Sequence, residues 1–376
     1  MKTKWQKLLN IALLIKVCML IILPLSSNLF AAEDESEKLG EQHKAESVRL
    51  YRNPEERREA GRGTKLTEWL SFSGLVELER ERIKNIFNND IEGREYEEPI
   101  LTLKIGLKFA FNEWLSGELL FESERNSHFS HTFIEESTLK ADFEKGELSV
   151  GRQNLPFGKY YSNFITDPMI QFGETRTDAF VANYFVMDSL RISGYLFDSD
   201  VSSQGGDNKV DWGFAIDFKS ADESIRMGAS YLHDLAESDE QLLGEFNNVY
   251  KDRVSGSNAY VLMGINQFEF TAEAVRTNGQ IKEFEENVNS PSAYNVELAY
   301  FPSRSTQLAV RIERSDQLVD RPERQYGIVG SWRPGKYLSV SIEYLYGKYK
   351  PGLVVDDDEN VQRTRKLFAG KVSFEF

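Results

Sequence analysis

The chain has 376 residues, 28% of them charged, a formal net charge of −15 and one cysteine, Cys18. An acidic balance of this size argues against a nucleic-acid partner, and one cysteine excludes a disulfide framework and a thiolate metal site. Aromatic residues make up 12% of the chain, yet no run beyond its start approaches a membrane helix, which leaves two all-β readings, a soluble protein and a transmembrane barrel.

Residues 1–32 read as a secretory signal peptide. Lys2, Lys4 and Lys7 give the basic start, Ile11 to Leu25 is apolar apart from Lys16, and Ser26, Ser27, Ala31 and Ala32 supply the small residues near a cleavage site. The apolar run is shorter than the roughly 20 residues of a membrane anchor. Cleavage removes Cys18 and four lysines, so the secreted chain has no cysteine and its charge moves from −15 to −19. Residues 33–68 are polar and charged, with RNPEERREAGRG showing no heptad; they read as a mobile periplasmic leader.

From Trp69 the pattern has period two. In PILTLKIGLKFAF, Leu101, Leu103, Ile105, Leu107, Phe109 and Phe111 take one face, and Thr102, Lys104, Gly106, Lys108 and Ala110 the other. Sixteen such segments follow, at 69–80, 99–112, 114–124, 133–143, 147–153, 178–186, 190–198, 209–219, 224–232, 257–266, 268–276, 291–301, 305–314, 324–333, 336–348 and 363–376. Short turns such as Asn112-Glu113 and Asn266-Gln267 alternate with long polar loops such as 81–98, 233–256, 277–290 and 349–362. An even strand number with this alternation is the signature of an outer-membrane barrel. Residues 69–376 are therefore expected to form a transmembrane antiparallel β-barrel of about 16 strands in the bacterial outer membrane, in contact with its lipid.

Trp69, Phe111, Trp114, Phe143, Phe185, Phe218, Phe268, Phe301, Trp332 and Tyr337 fall where strands meet the short turns, as a girdle at one membrane interface does. The last strand, LFAGKVSFEF, finishes on Phe376. It resembles the terminal strand that marks bacterial outer-membrane barrels for insertion, which implies the barrel-assembly machinery as a partner.

One connection breaks the rhythm. Between strands five and six, residues 154–177 are pinned by Pro156, Gly158, Pro168 and Gly173 and carry Phe157, Tyr160, Tyr161, Phe164 and Phe172. So many aromatic residues disfavour a loop hanging in water. A sixteen-stranded barrel leaves an aqueous lumen, and folding the loop into it narrows the passage. Asp167, Glu174, Arg176 and Asp178 then line a constriction with Arg152 at its base. An ordered external loop, or an extra strand at 169–176, is the competing arrangement.

The run FGKYYSNFITDPMIQFGETR, with the barrel length and the terminal Phe, resembles the LbtU family of siderophore porins. The resemblance implies passage of a small-molecule solute, a ferric siderophore or similar chelate, without an energised receptor. It draws interest to Arg152, Pro156, Phe157, Gly158, Asp167, Pro168, Gly173, Glu174 and Arg176. The extended coiled-coil leader of some members has no counterpart in 33–68. Energised receptors carry a plug domain inside a 22-stranded barrel, and the 36 residues of 33–68 are too few for one.

The remaining chemistry is sparse. His128 and His131 sit in a Ser/Asn-rich loop, a poor metal site, and no histidine falls on an expected strand, so neither enzyme nor cofactor is expected. Alternation puts twelve acids inward (Glu77, Glu79, Glu118, Glu122, Asp142, Asp211, Asp217, Glu269, Glu273, Glu297, Glu313, Glu343) against six bases (Lys104, Lys108, Arg191, Arg226, Arg311, Lys371). An acid-rich lumen disfavours anions. The expectation is a porin for small hydrophilic solutes, as a single barrel or a homotrimer. The alternatives are a general cation-preferring diffusion porin and a structural envelope barrel with no open pore.

Overall fold

The computed structural model describes residues 64–88, 92–126, 130–198, 202–203, 210–235, 238, 249–250, 253–282, 284, 288–318, 321–335, 337–351 and 361–376. The expected signal peptide, the leader as far as Gly63, and His43 and His128 lie outside them.

Sixteen antiparallel strands close on themselves. They are β1 (Leu70–Phe87), β2 (Glu92–Ala110), β3 (Leu115–Arg125), β4 (Ser130–Phe143), β5 (Gly146–Asn154) and β6 (Arg176–Met187). Next come β7 (Leu190–Asp198), β8 (Val210–Lys219), β9 (Ile225–Leu232), β10 (Gly256–Ile265) and β11 (Phe268–Thr277). The circuit ends with β12 (Ser292–Ser303), β13 (Thr306–Asp316), β14 (Arg324–Trp332), β15 (Leu338–Lys348) and β16 (Gln362–Glu375). Each strand pairs with its neighbours in sequence, and β16 returns to β1 from Gln362 opposite Phe87 to Glu375 opposite Leu75. Closure leaves no sheet edge within the hydrocarbon, where an unpaired backbone group has no water to turn to.

Period two sorts the side chains. On β13 to β15, Val310, Ile328 and Ile342 are exposed on the outer wall, while Ala309, Val329 and Glu343 beside them are buried within. Trp69, Phe111, Trp114, Phe143, Phe185, Phe218, Phe268 and Trp332 are exposed at the short-turn end, as expected of a girdle. Phe301 departs from that set: it is buried, because the alternation of β12 puts Ala299 and Phe301 inside and leaves Tyr300 outside, 5.0 Å from Phe268.

The short turns are closed locally. The Asn112 side chain accepts the N–H groups of Trp114 and Leu115 at 3.0 and 2.8 Å, an Asx-turn. In the 220–224 turn, the hydroxyls of Ser220 and Ser224 and the Ser224 N–H donate to Asp222, and they hold its carboxyl down to about 2. At the seam, Phe376 exchanges backbone hydrogen bonds with Gly74 at 3.0 and 2.9 Å. A Cβ on Gly74 would lie 2.3 Å from the Phe376 ring, so only glycine lets that ring settle against Phe72 and Phe374.

The expected loop 81–98 is mostly strand. The β1–β2 ladder runs on to Ile86 opposite Glu92. Apolar alternation ends where the hairpin leaves the membrane, but a backbone ladder in water needs no apolar face, and the register sets Arg82 opposite Glu97 and Lys84 opposite Glu95. Thr64–Lys65, expected as leader, also pairs with β1, at Phe72 and Ser71.

The outward assignment is testable at Ile328, which is 55% exposed between Val310 and Tyr344 in the ladder. Ile328→Arg is expected to cost about 2–4 kcal/mol against hydrocarbon and to block assembly, whereas Ile328→Val is tolerated. Heat-modifiable migration of the Arg variant equal to that of the parent protein would show the facing to be wrong.

Candidate functional site: the loop inside the barrel

The connection from β5 to β6 folds into the lumen. Its neck is closed by the Leu155 N–H donating to the Thr175 carbonyl at 2.9 Å. It contains one short 3-10 turn, Met169–Gly173, and no strand, so the alternative of an extra strand at 169–176 fails. Phe157, Met169, Ile170 and Phe172 are buried against inward side chains of the wall, among them Val181, Tyr195, Phe197, Leu232 and Val275. This is an apolar core inside the barrel, and each large side chain in it contributes about 1.5–3 kcal/mol. Those wall positions break the polar-inside rule because the loop covers them.

The loop's polar side is fastened by carboxylates from the opposite wall. Glu273 on β11 accepts the N–H groups of Lys159 and Tyr160 at 2.7 and 2.8 Å. Glu297 on β12 accepts the Asn163 N–H and the Ser162 hydroxyl, both at 2.8 Å. Glu343 on β15 accepts the N–H groups of Ile165 and Thr166 at 2.5 and 3.2 Å and the Thr166 hydroxyl at 2.5 Å. Glu313 on β13 takes the Met169 N–H at 2.6 Å. An irregular loop has no ladder for its amides, and buried amides must find acceptors; charged acceptors make the stronger bonds.

Arg311, fully buried on β13, supplies the counter-charge. Its Nε lies 2.9 Å from Glu297 and its Nη1 3.6 Å from Glu313. Its Nη2 donates to the Thr166 carbonyl at 3.0 Å and to the Ser162 hydroxyl, and its guanidinium sits 4.1 Å from the centre of the Phe164 ring. Gly158 allows the closest approach: its φ is +88°, and a Cβ there would lie 2.5 Å from Asn258 and 2.6 Å from Glu273.

Beside the loop an opening of about 610 Å³ remains. Its lining includes the bases Lys104, Lys159, Arg176, Arg191 and Lys371 and the acids Glu77, Glu122, Glu135, Glu147, Asp167 and Glu174. Among the expected residues, Pro156, Gly158, Asp167, Glu174 and Arg176 line it. Phe157, Pro168 and Gly173 are buried behind it as supports. A Cβ on Gly173 would lie 2.7 Å from Val275.

Arg152 and Asp178 are misassigned by the sequence reading. They face each other in the β5–β6 ladder two residues from Val150 and Phe180, which share the outer wall, and neither lines the opening. Alternation continues through Arg152, and Gln153 takes the inward place, its amide donating to the Ala179 carbonyl at 3.2 Å.

The inward acid count also misleads. Glu273, Glu297, Glu313 and Glu343 are spent on the loop and Arg311. Asp211 is clamped by His233 at 2.7 Å and by Arg253. Asp217 accepts from Arg191 at 3.0 Å and from the Tyr260 hydroxyl. The opening is left with six acids against five bases. His131, expected in a loop, lies on β4 opposite Glu124.

Glu135 is the residue alternation missed. The β3–β4 register slips between Leu120 and Phe121, whose partners are Glu136 and Ile134, so Glu135 is an extra residue on a bulge. It turns inward, buried, to Lys104 at 3.0 Å and Arg176 at 3.5 Å, while Lys104 also reaches Glu122 at 2.9 Å. Arg176 in turn donates to Asn154 at 2.9 Å.

No family model matches the sequence. A "UPF0422 protein" from Coxiella burnetii (strain RSA 493 / Nine Mile phase I) is 25% identical over 265 residues, 62% of this chain, and the match spans 56% of that protein's length. Among solved structures, the outer membrane channel DcaP of Acinetobacter baumannii is 14% identical, with 84% of this chain and 99% of that chain covered and a TM-score of 0.58. The anion-selective porin from Comamonas acidovorans is 8% identical, over 82% and 99%, at 0.58. Salmonella typhi OmpF in complex with daunomycin is 13% identical, over 82% and 97%, at 0.54. At these identities the likeness is one of fold: a sixteen-stranded barrel of the bacterial outer membrane.

The fastening of the loop can be tested at Glu297. Glu297→Gln removes one of the two carboxylate charges shared by the fully buried Arg311, a change expected to cost up to about 3–5 kcal/mol. The barrel ladder is untouched, so the loss should appear as faster hydrogen exchange across 156–170 in a barrel that still migrates as folded. Unchanged exchange there would mean that the carboxylates do not hold the loop.

Proposed function

We propose that this protein is a porin through which small hydrophilic solutes cross the outer membrane down their gradients, beside a fixed constriction loop and without an energised plug. The observation that carries the reading is the loop itself, fastened to one side of the lumen with an opening left at the other. That opening, about 610 Å³, falls within the roughly 300–1,000 Å³ of small-molecule sites. Its size, its lining of both charge signs and the resemblance of FGKYYSNFITDPMIQFGETR to siderophore porins together support a siderophore-type ferric chelate as the solute.

With six acids against five bases, the opening is nearly balanced, and its cation preference should be weak. Lys104 and Arg176 are both answered by Glu135, so that carboxylate weighs most in the balance.

In planar bilayers the purified protein should conduct. Deleting Tyr160 to Gly173 should raise the single-channel conductance while heat-modifiable folding persists, since the strand ladder does not run through the loop. A folded parent protein that stays silent would exclude the porin reading, and ferric-siderophore uptake equal with and without the protein would exclude the chelate.

The charge balance gives a separate outcome. Glu135→Lys changes the lining from minus one to plus one and should move the reversal potential to favour Cl⁻ over K⁺. Glu135→Gln with Arg176→Gln should stay near the parent value. The Glu135→Lys shift should shrink at high salt, where the Debye length falls to about 3 Å at 1 M. A Glu135→Lys channel with the parent's ion preference would rule out the assigned role.

A further inference from the structure

The outer wall of β13 to β16 carries a row of cations that face one another across the ladder. Arg314 is the direct ladder partner of Arg324, and Arg324 of Lys348. Lys366 follows on β16, opposite Tyr346. All four are exposed. Among the described residues, the acids near them are Glu323, 3.8 Å from Arg324, and Asp316, two residues beyond Arg314 on the same strand. Like charges directly opposite in a ladder repel. The row also runs against a formal charge of −15 for the whole chain, so it is not what bulk composition would place there.

Its height identifies what it meets. From Trp332 in the short-turn girdle to Arg324 is eight residues along β14, roughly 26 Å of strand and about 20 Å of rise at a 40° tilt. The apolar band of such barrels is about 25 Å tall. The Arg324 backbone is then about 5 Å short of the far edge, a gap that a long cationic side chain spans by snorkelling to the interface on the long-loop side, which faces outward from the cell. Tyr294, the ladder partner of Arg314, and Tyr326, two residues below Arg324, are each a little over 40% exposed, where ring and hydroxyl straddle oil and water. Guanidinium and ammonium groups at head-group depth match phosphate oxygens.

We infer that the row Arg314–Arg324–Lys348, with Lys366 beside it, is a docking surface for the phosphate groups of a phosphorylated glycolipid in the outer leaflet. The inference rests on the barrel and its membrane face, and it is independent of whether the lumen conducts. Bound phosphate bridges neighbouring cations and turns a repulsive row into a neutral one.

The test uses the full barrel in a zwitterionic detergent, with heat-modifiable migration as the readout. The probes are bis-phosphorylated lipid A, its dephosphorylated form and phosphatidylcholine. The variant is Arg314→Gln with Arg324→Gln and Lys348→Gln. Without lipid the variant should keep its folded migration to a temperature equal to or higher than the parent, since repulsion is removed. The bis-phosphorylated lipid should raise the parent's melting temperature by several degrees and the variant's far less, reversing their order, while the other two lipids should not separate the proteins. Equal stabilisation of both proteins by the phosphorylated lipid, or equal effects of the phosphorylated and dephosphorylated forms, would overturn the inference. So would lipid-free association of the parent into dimers or trimers that the variant does not form, because the row would then be a protein interface.

Discussion

Carboxylates pointing inward from the barrel wall and accepting backbone N–H groups from a loop are the interaction on which the lumen depends. A strand satisfies its amides through its neighbours. The loop between β5 and β6 has no neighbour of that kind, and it lies where protein replaces water. Glu273, Glu297, Glu313 and Glu343 take the place of a ladder. Four buried carboxylates repel one another, and Arg311 sits among them, shared between Glu297 and Glu313 and capped by the Phe164 ring. The apolar side of the loop finishes the attachment. The result is asymmetric: one side of the lumen is filled, and the passage is confined to the other.

The barrel was legible because lipid and water impose period two, and sixteen segments could be counted from it. Where neither solvent imposes that contrast, the pattern loses force. The outer halves of β1 and β2 are hydrogen-bonded strands in water, so their charged residues read as loop. Glu135 sits at a ladder irregularity, where one residue out of step reverses a facing assignment. Such slips are invisible in a single sequence, because they are fixed by the register of the neighbouring strand.

The site was legible in part for the same reason. Aromatic content and the Pro/Gly pins marked 154–177 as ordered, and Asp167, Glu174 and Arg176 do face the opening. Which acids serve the loop and which serve the passage was not legible, since both kinds occupy identical inward positions. Glu297 and Glu77 look alike along their strands; only the path of the loop across β11 to β15 separates the one that holds from the one that lines.

The bulge that carries Glu135 has a consequence for how such a channel changes over generations. The extra residue adds a carboxylate to the lumen while the β3–β4 ladder on either side keeps its own register. Substitution at an ordinary inward position must exchange one lining group for another. A one-residue insertion at a bulge adds a group and displaces none. The charge inside this barrel can therefore be altered by gain or loss of a single codon, at a place where the wall has already absorbed the change in length.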